Sequence, residues 1–276
     1  MTTEGEPELN DTPRDIRNKL QEETTSFTSE LIGLIPAAGK GLRLGLPYPK
    51  ELYPIIRDNR YKPIAQYVLE NLTSAGIRDI VFVINETKHQ LIGYFGSGSR
   101  FDCHISYVVQ ETEENDDQST SPGLAYALDS AHHLTKSKIV CFGMPDTILN
   151  PHDVFSQVLS GWRLGSSLAL GLFPITRPEK SGAVELDSEG GVIQIIDKPE
   201  RTSLTLGWAC MVWKPDFTEY LHLCVNSSNI VDFAEVMNSA IKLGMDFQGT
   251  PIKDGSYIDL GTYEDIMELE RQHRAL

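Results

Sequence analysis

Cysteine is scarce in this chain: Cys103, Cys141, Cys210 and Cys224 are its four, and no two of them form a Cys-x-x-Cys pair. Such spacing supplies neither a zinc site nor a disulfide framework. The four read as reduced thiols, three of them within apolar runs. Long hydrophobic runs are missing too, for no stretch approaches the roughly 18 apolar residues of a membrane-spanning helix. The N-terminus lacks the basic-then-apolar layout of a secretory signal, so a soluble cytoplasmic protein is expected. Positive charge is in short supply: 24 Lys and Arg stand against 39 Asp and Glu, for a net charge of -15. A polyanionic surface opposes non-specific association with nucleic acid or acidic lipid, so neither is an expected partner. Cations that meet a phosphate ligand have to be gathered locally. No Ser-His-Asp or Cys-His signature of nucleophilic catalysis is present.

What is there suits an ordinary folded enzyme. With 276 residues, 40% of them hydrophobic, the chain can bury a full core without a disulfide or metal staple. Residues 1–28 are polar and acid-rich and read as a flexible N-terminal arm. From Leu31 strands and helices alternate. Strands are expected at Leu31 to Ala38, Asp79 to Ile84, His104 to Val109 and Lys138 to Phe142. Helices are expected at Lys62 to Ala75, Lys88 to Tyr94 and Leu124 to Leu134. The alternation predicts right-handed crossovers and a mostly parallel sheet covered on both faces, an α/β sandwich. Beyond it come a helix at Asp153 to Arg163 and a strand at Ser167 to Phe173. The hairpin Gly182 to Leu186 and Gly191 to Ile196 turns through Asp187-Ser188-Glu189-Gly190. A strand at Leu204 to Trp213, a helix at Ile230 to Leu243, a strand pair around Phe247 to Ile258 and a last helix from Thr262 follow.

The most informative segment is Ile35-Pro36-Ala37-Ala38-Gly39-Lys40-Gly41-Leu42-Arg43, followed by Pro49-Lys50-Glu51-Leu52-Tyr53-Pro54-Ile55. A Gly-rich turn directly after a buried strand lets consecutive backbone N–H groups approach an anion, because glycine tolerates the positive φ of a concave loop. Arg43 and Lys50 bracket the loop and can neutralise charge on a departing pyrophosphate. The spacing is not the Walker pattern, since neither Ser nor Thr follows Gly39-Lys40, and it is no clean Gly-x-Gly-x-x-Gly fingerprint.

With these residues in this order, the sequence resembles the sugar nucleotidyltransferase family, the nucleoside-diphosphate-sugar pyrophosphorylases typified by glucose-1-phosphate thymidylyltransferase and uridylyltransferase. The resemblance covers about Leu31 to Leu269. It implies a Rossmann-like three-layer sandwich, GT-A-like, with a mixed, mostly parallel central sheet. One domain over residues 29–276 would hold a nucleotide-binding half (about 29–150) and a sugar-binding half (about 151–276). It also implies that Ala37, Ala38, Gly39 and Gly41 bind the nucleotide and that Arg43 and Lys50 are catalytic. The link from Arg43 to Lys50 is shorter than in the thymidylyltransferases and closer to that of cytidylyltransferases acting on alditol phosphates.

Further segments extend the likeness. Gln110 ends a strand at the sheet edge where open α/β folds bind ligands, and its amide can pair with a pyrimidine edge, the role the resemblance implies. Gly123, opening the next helix, would let the backbone lie against the base. The acidic stretch 111–117 reads as a solvated loop, with a flap over the base as the sharper alternative. Asp146, after an apolar strand, and Asp259, in Asp-x-Gly-Thr, match the family's two magnesium carboxylates, and Mg²⁺ suits a few hard oxygens plus phosphate and water. Lys198, in Asp197-Lys198-Pro199, matches the lysine that holds the sugar phosphate; Asp197 stands where relatives carry Glu. Gly182 matches a glycine that approaches the hexose, whereas Trp208-Ala209 replaces the smaller residues of the sugar wall.

The expected reaction couples a nucleoside triphosphate, dTTP or UTP first, to a sugar 1-phosphate with release of pyrophosphate. The nucleophile is already anionic, so catalysis is positioning and charge neutralisation. The alternatives are a cytidylyltransferase acting on an alditol or other non-sugar phosphate, and a catalytically silent relative that binds nucleotide sugar and regulates a partner. Relatives commonly form dimers or tetramers, so the resemblance implies a homo-oligomer, with no interface legible in the sequence.

Overall fold

Six consecutive buried residues, Leu31–Pro36, form the first strand, and a strand buried on both faces belongs in the middle of a largely parallel sheet. A computed structural model describes residues 30–41, 45–57, 60–111, 123–163, 165–228 and 232–274. The expected N-terminal arm, Arg43 and positions 112–117 of the acidic stretch lie outside the described residues. In chain order the first elements are β1 (Leu31–Pro36), β2 (Pro54–Arg57), β3 (Arg60–Pro63), α1 (Ile64–Ser74), β4 (Asp79–Ile84), α2 (His89–Phe95) and β5 (His104–Val109). Next come α3 (Leu124–Asp129), α4 (His132–Thr135), β6 (Ile139–Gly143), β7 (Thr147–Asn150), α5 (Val154–Gly161), β8 (Leu168–Pro174), β9 (Gly182–Leu186) and β10 (Val192–Asp197). The chain continues through β11 (Leu206–Trp213), α6 (Pro215–Leu223), α7 (Phe233–Lys242), β12 (Phe247–Pro251), β13 (Ser256–Asp259) and α8 (Tyr263–Arg274).

β1 pairs in parallel with β4 on one side and β6 on the other, and β5 extends the sheet beyond β4. Seven of the nine strands in the main sheet run the same way; β10 and β11 oppose them. The expected mixed, mostly parallel sheet is therefore present. Alternate residues of one strand enter opposite cores. Ile32, Leu34, Val81, Val83 and Phe142 pack on one face with residues of α3, α6 and α7. Leu31, Ile35, Ile80, Phe82 and Cys141 pack on the other with residues of α1, α2 and α5. Both faces being covered makes three layers. All four cysteines are free and buried. Among the described residues no helix is long and apolar enough to cross a membrane.

Strand β11 gives the sheet its particular shape. Along one edge it pairs with β8. Its other edge is shared end to end: Cys210–Trp213 bond β6, while Gly207 and Trp208 bond β9. A bulge separates the two stretches, where the register slips between Trp208 and Cys210. Because β6 stops at Gly143 and β9 starts at Gly182, the sheet is notched between them.

Several boundaries differ from the sequence expectation. Lys62 and Pro63 belong to the β2–β3 hairpin, and the helix begins at Ile64, whose N–H reaches the Tyr53 carbonyl. The helix expected over Leu124 to Leu134 is two short helices, α3 and α4. The strands expected as a pair around Phe247 to Ile258 do not pair with each other: β12 joins β8, and β13 joins β7.

Candidate active site

The loop after β1 hangs from the ends of the parallel strands. The Ala37 N–H bonds the Val83 carbonyl at 2.6 Å. The Ala38 carbonyl accepts from Asn85 Nδ2 at 2.7 Å. Gly41 has φ +65°, and among the described residues a methyl group added there would meet nothing closer than 3.9 Å, so its backbone angle calls for glycine. On the neighbouring strand the Gln110 N–H continues the ladder to Ile84 at 2.7 Å, leaving the side chain 8% exposed at the strand end. Gly123, at φ 95°, precedes α3. Ala38, Gly39, Gly41, Lys50, Gln110, Gly123 and Asp146 all line one cavity of about 580 Å³.

A second cavity of about 590 Å³ adjoins it, lined by Gly182, Asp197, Lys198, Trp208, Asp259 and others. Asp146, Lys198, Gly123 and Gly261 line both, so the two form one continuous cleft over the notch in the sheet. Ala37 is the exception among the expected nucleotide contacts. Its N–H is committed to Val83 and its side chain is 1% exposed, so it supports the loop from below and does not line the cleft.

The two carboxylates meet through the small β7–β13 ladder. Asp146 precedes β7, Thr147 lies opposite Asp259, and the Leu260 N–H bonds the Asp146 carbonyl at 2.9 Å. Lys50 Nζ donates to Asp146 Oδ2. Burial pushes the Asp259 carboxyl up to about 6, with the negative charge of Asp146 adding to the shift and Lys50 opposing it. For Lys50, burial acts to lower the pKa, but the charge and hydrogen bond of Asp146, with Glu51 and Asp259 behind it, raise it above its ordinary value. The ammonium is thus held charged between acids.

At the other end of the cleft, Lys198 takes φ 44°, a left-handed angle uncommon for a residue with a side chain. Its N–H bonds the Ser181 carbonyl at 3.0 Å, while Nζ reaches Asp197 Oδ2 at 3.1 Å. Gly182 and Trp208 face each other across β9 and β11, and a methyl group at Gly182 would collide with the indole Nε1. That Nε1 is buried and has no hydrogen-bond partner among the described residues.

A family model described as Nucleotidyl transferase matches residues 32–275. The chain belongs to the nucleotidyl transferase family. It is 26% identical over 245 residues to a low-salt glycan biosynthesis nucleotidyltransferase of Haloferax volcanii, which covers 86% of this chain and 64% of that protein. It is 30% identical over 177 residues to a glucose-1-phosphate thymidylyltransferase of Xanthomonas campestris, covering 61% of this chain and 55% of that one. The chain thus spans a little under two thirds of the first relative and about half of the second. A Bacillus anthracis protein crystallised with a sucrose superposes with a TM-score of 0.74 at 19% identity, over 89% of this chain and 96% of its own. That likeness is one of fold.

Seen as a nucleotidyl transferase, the chain has further cleft residues that sequence reasoning missed. Glu51 bonds Lys88 Nζ at 2.7 Å, with both side chains buried. Asp265 receives Arg177 at 2.6 Å and Lys180 at 2.7 Å on a single oxygen, and Thr262 on the other. Burial alone would raise the Asp265 carboxyl, but hydrogen bonds from Lys180, Thr262 and Arg177 hold it down at about 2. Its signal was present as Thr262-x-x-Asp265, a capping-box spacing at the start of α8. Ser181 donates to the Arg177 carbonyl at 2.8 Å and so accepts from the Tyr257 hydroxyl at 2.6 Å. Nothing in the sequence signals that pair.

Proposed function

We propose that this protein transfers a nucleoside monophosphate from a nucleoside triphosphate to a sugar 1-phosphate, releasing pyrophosphate. The observation that carries the reading is the meeting of Lys50, Asp146 and Asp259 where a Gly-rich loop cavity joins a second, acid-lined one. The first cavity takes the triphosphate. Gly39 and Gly41 bring backbone to its phosphates, and the Gln110 amide pairs with the base. The name of the Xanthomonas relative favours dTTP with glucose 1-phosphate as the first pair to try.

Asp146 and Asp259 are a fit for Mg²⁺. They offer hard oxygens, and Asp259 resists ionisation because it is buried, with the charge of Asp146 adding to that. Among the described residues no group of three or more His, Cys, Asp or Glu could hold a metal ion, which suits a cation that fills its remaining positions with phosphate and water. When bound, Mg²⁺ would neutralise charge on the phosphate oxygens.

The protein's own part is positional. Lys198, held at an unusual backbone angle beside Asp197, places the sugar phosphate so that one of its oxygens attacks the α-phosphorus. The bond from that phosphorus to the oxygen leading to the β-phosphate breaks, and pyrophosphate leaves. Lys50, kept protonated by its acidic neighbours, offsets the negative charge gathering on the leaving group. Arg43 joins it in this reading on the strength of the sequence motif.

The test is pyrophosphate release with Mg²⁺ across dTTP, UTP, CTP, GTP and ATP against several hexose 1-phosphates. Alditol phosphates belong in the same matrix, because the Trp208 indole seated on Gly182 narrows the acceptor wall. Release with one sugar phosphate supports the proposal and names the substrates. Silence throughout, with nucleotide sugar still bound, turns the reading to a regulatory relative.

A further inference from the structure

The Lys50 backbone has little of its own to hold it. Lys50, Glu51 and Leu52 make a single 3-10 turn, with no side-chain cap at Pro49. Its backbone is closed by Leu52 N–H to Pro49 at 2.9 Å and Tyr53 N–H to Lys50 at 2.9 Å. Besides the Lys50 bond to Asp146 and the Ile64 N–H on the Tyr53 carbonyl, the turn is tied to the body of the protein by Glu51, whose Oε1 accepts from Lys88 Nζ with side-chain exposures of 1% and 4%. A buried ion pair is a weak device for stability, since desolvation of both charges offsets their attraction. This pair is also half-satisfied: Glu51 Oε2 is buried and has no partner among the described residues, although Glu51 lines the nucleotide cavity. A site selected for stability alone is better served by apolar side chains of the same volume.

Lys88 closes a short turn that begins at Asn85, directly after β4. Asn85 is 3% exposed, and its amide works in two directions. Oδ1 accepts from Thr87 N–H at 3.0 Å and Thr87 Oγ1 at 2.7 Å, fixing the turn. Nδ2 donates to the Ala38 carbonyl at 2.7 Å, fixing the Gly-rich loop. Burial lowers the Lys88 pKa, the nearby Lys50 charge lowers it further, and Glu51 with Asp146 works against both.

We infer that the turn Asn85–Lys88 is a positioning element for nucleotidyl transfer: through Glu51 it sets the place of Lys50, and through Ala38 it sets the loop that receives the triphosphate. Both walls of the nucleotide cavity are referenced to the end of one central strand. Lys88, Glu51 and Asn85 are positioning residues. The inference rests on the proposed reaction, and the experiment separates the two.

Three proteins are compared: the wild type, Lys88→Met, and the neutral double variant Glu51→Gln/Lys88→Met, which keeps a folded control in hand if the single variant unfolds. Thermal unfolding, steady-state kinetics and amide hydrogen exchange are measured on each. Lys88→Met is expected to lower kcat by about a hundredfold, the cost of misplacing a charged group by an ångström or so, with the KM for sugar phosphate changing by less than about threefold. The double variant is expected to recover the wild-type Tm but not kcat. Exchange at the Leu52 and Tyr53 amides is expected to quicken in both variants. A kcat for Lys88→Met within about twofold of wild type, or a double variant that regains Tm and kcat together, overturns the inference. Unchanged exchange at Leu52 and Tyr53 overturns it as well, and that readout holds even for a wild type that releases no pyrophosphate. Such a wild type would count against the proposed reaction instead.

Discussion

Leu260 donates its backbone N–H to the Asp146 carbonyl at 2.9 Å, one bond beyond the last residue pair of the β7–β13 ladder. That bond locks together two acids that come from opposite ends of the cleft's construction. One follows a central strand of the main sheet; the other precedes the last helix. Burial makes Asp259 reluctant to ionise, and the ladder adds to this by fixing the charge of Asp146 nearby.

Asp259 is therefore expected to cost stability in the metal-free protein at neutral pH. Its folded pKa of about 6 lies above its ordinary value, so the protonated form is favoured by folding, and stability is lost as pH rises from about 4 through 6. Asp259→Asn removes that loss. Scanning calorimetry in EDTA should show the variant melting a few °C above wild type at pH 7.5, with the gap closing near pH 4, while pyrophosphate release collapses. A variant less stable than wild type at both pH values contradicts the assignment.

Lys50→Ala should lose activity with the opposite effect on stability. Turnover is expected to fall about a hundredfold or more, because the charge offsetting the leaving group is gone. The protein is also left with Asp146 only 6% exposed and without its partner, so urea unfolding should shift to lower denaturant. Unchanged turnover would remove Lys50 from the mechanism.

Gly182→Ala puts a methyl group into the Trp208 indole. The strands on either side are paired and have little room to yield, so destabilisation of about 1–3 kcal/mol is expected in urea titrations. Adding Trp208→Leu should return most of it. Equal stability of Gly182→Ala and wild type would show that the indole moves aside freely.

Asp265→Asn should blunt the acid dependence of stability. The wild-type carboxyl is held at about 2, so its contribution is present above its ordinary pKa and fades as pH falls from about 4 to 2. The variant is expected to melt below wild type at pH 7 and to approach it as pH drops toward 2. A gap that stays constant over that range would mean that Asp265 acts through shape and not through charge.

The sheet was legible wherever burial and periodicity coincide. β4 and β5 run over the residues expected, and β9 matches as well, because each is a short apolar run with glycine or charge at its ends. The cleft gathers Gly39, Gly41, Lys50, Gln110 and Asp146 from separate strand ends, an arrangement foreshadowed by their order along an alternating β/α chain. The rest depends on pairing. β7 is four residues ending at Asn150, too brief to announce itself, and only its partner β13 makes it a strand. Helix α6 carries a cue in Pro215 at its first turn, but its apolar positions are few against a polar face. The Glu51–Lys88 bond joins an acid and a base that no local motif connects, so folding alone reveals it.

The bulge at Ala209 bears on how this protein can change over evolutionary time. Ala209 and Cys210 turn to the same layer while Trp208 and Met211 turn to the other, so the bulge takes up one extra residue, and deleting Ala209 would leave a regularly alternating strand with Trp208 still on its own layer. Substitution at Trp208 alters the cleft wall and leaves Cys210–Trp213 in register with β6. Side-chain exchange in β11 thus reshapes the cleft without disturbing the sheet, and the strand tolerates a change of length at Ala209 alone, since losing any other residue would turn the segment on one side of it to the wrong layer.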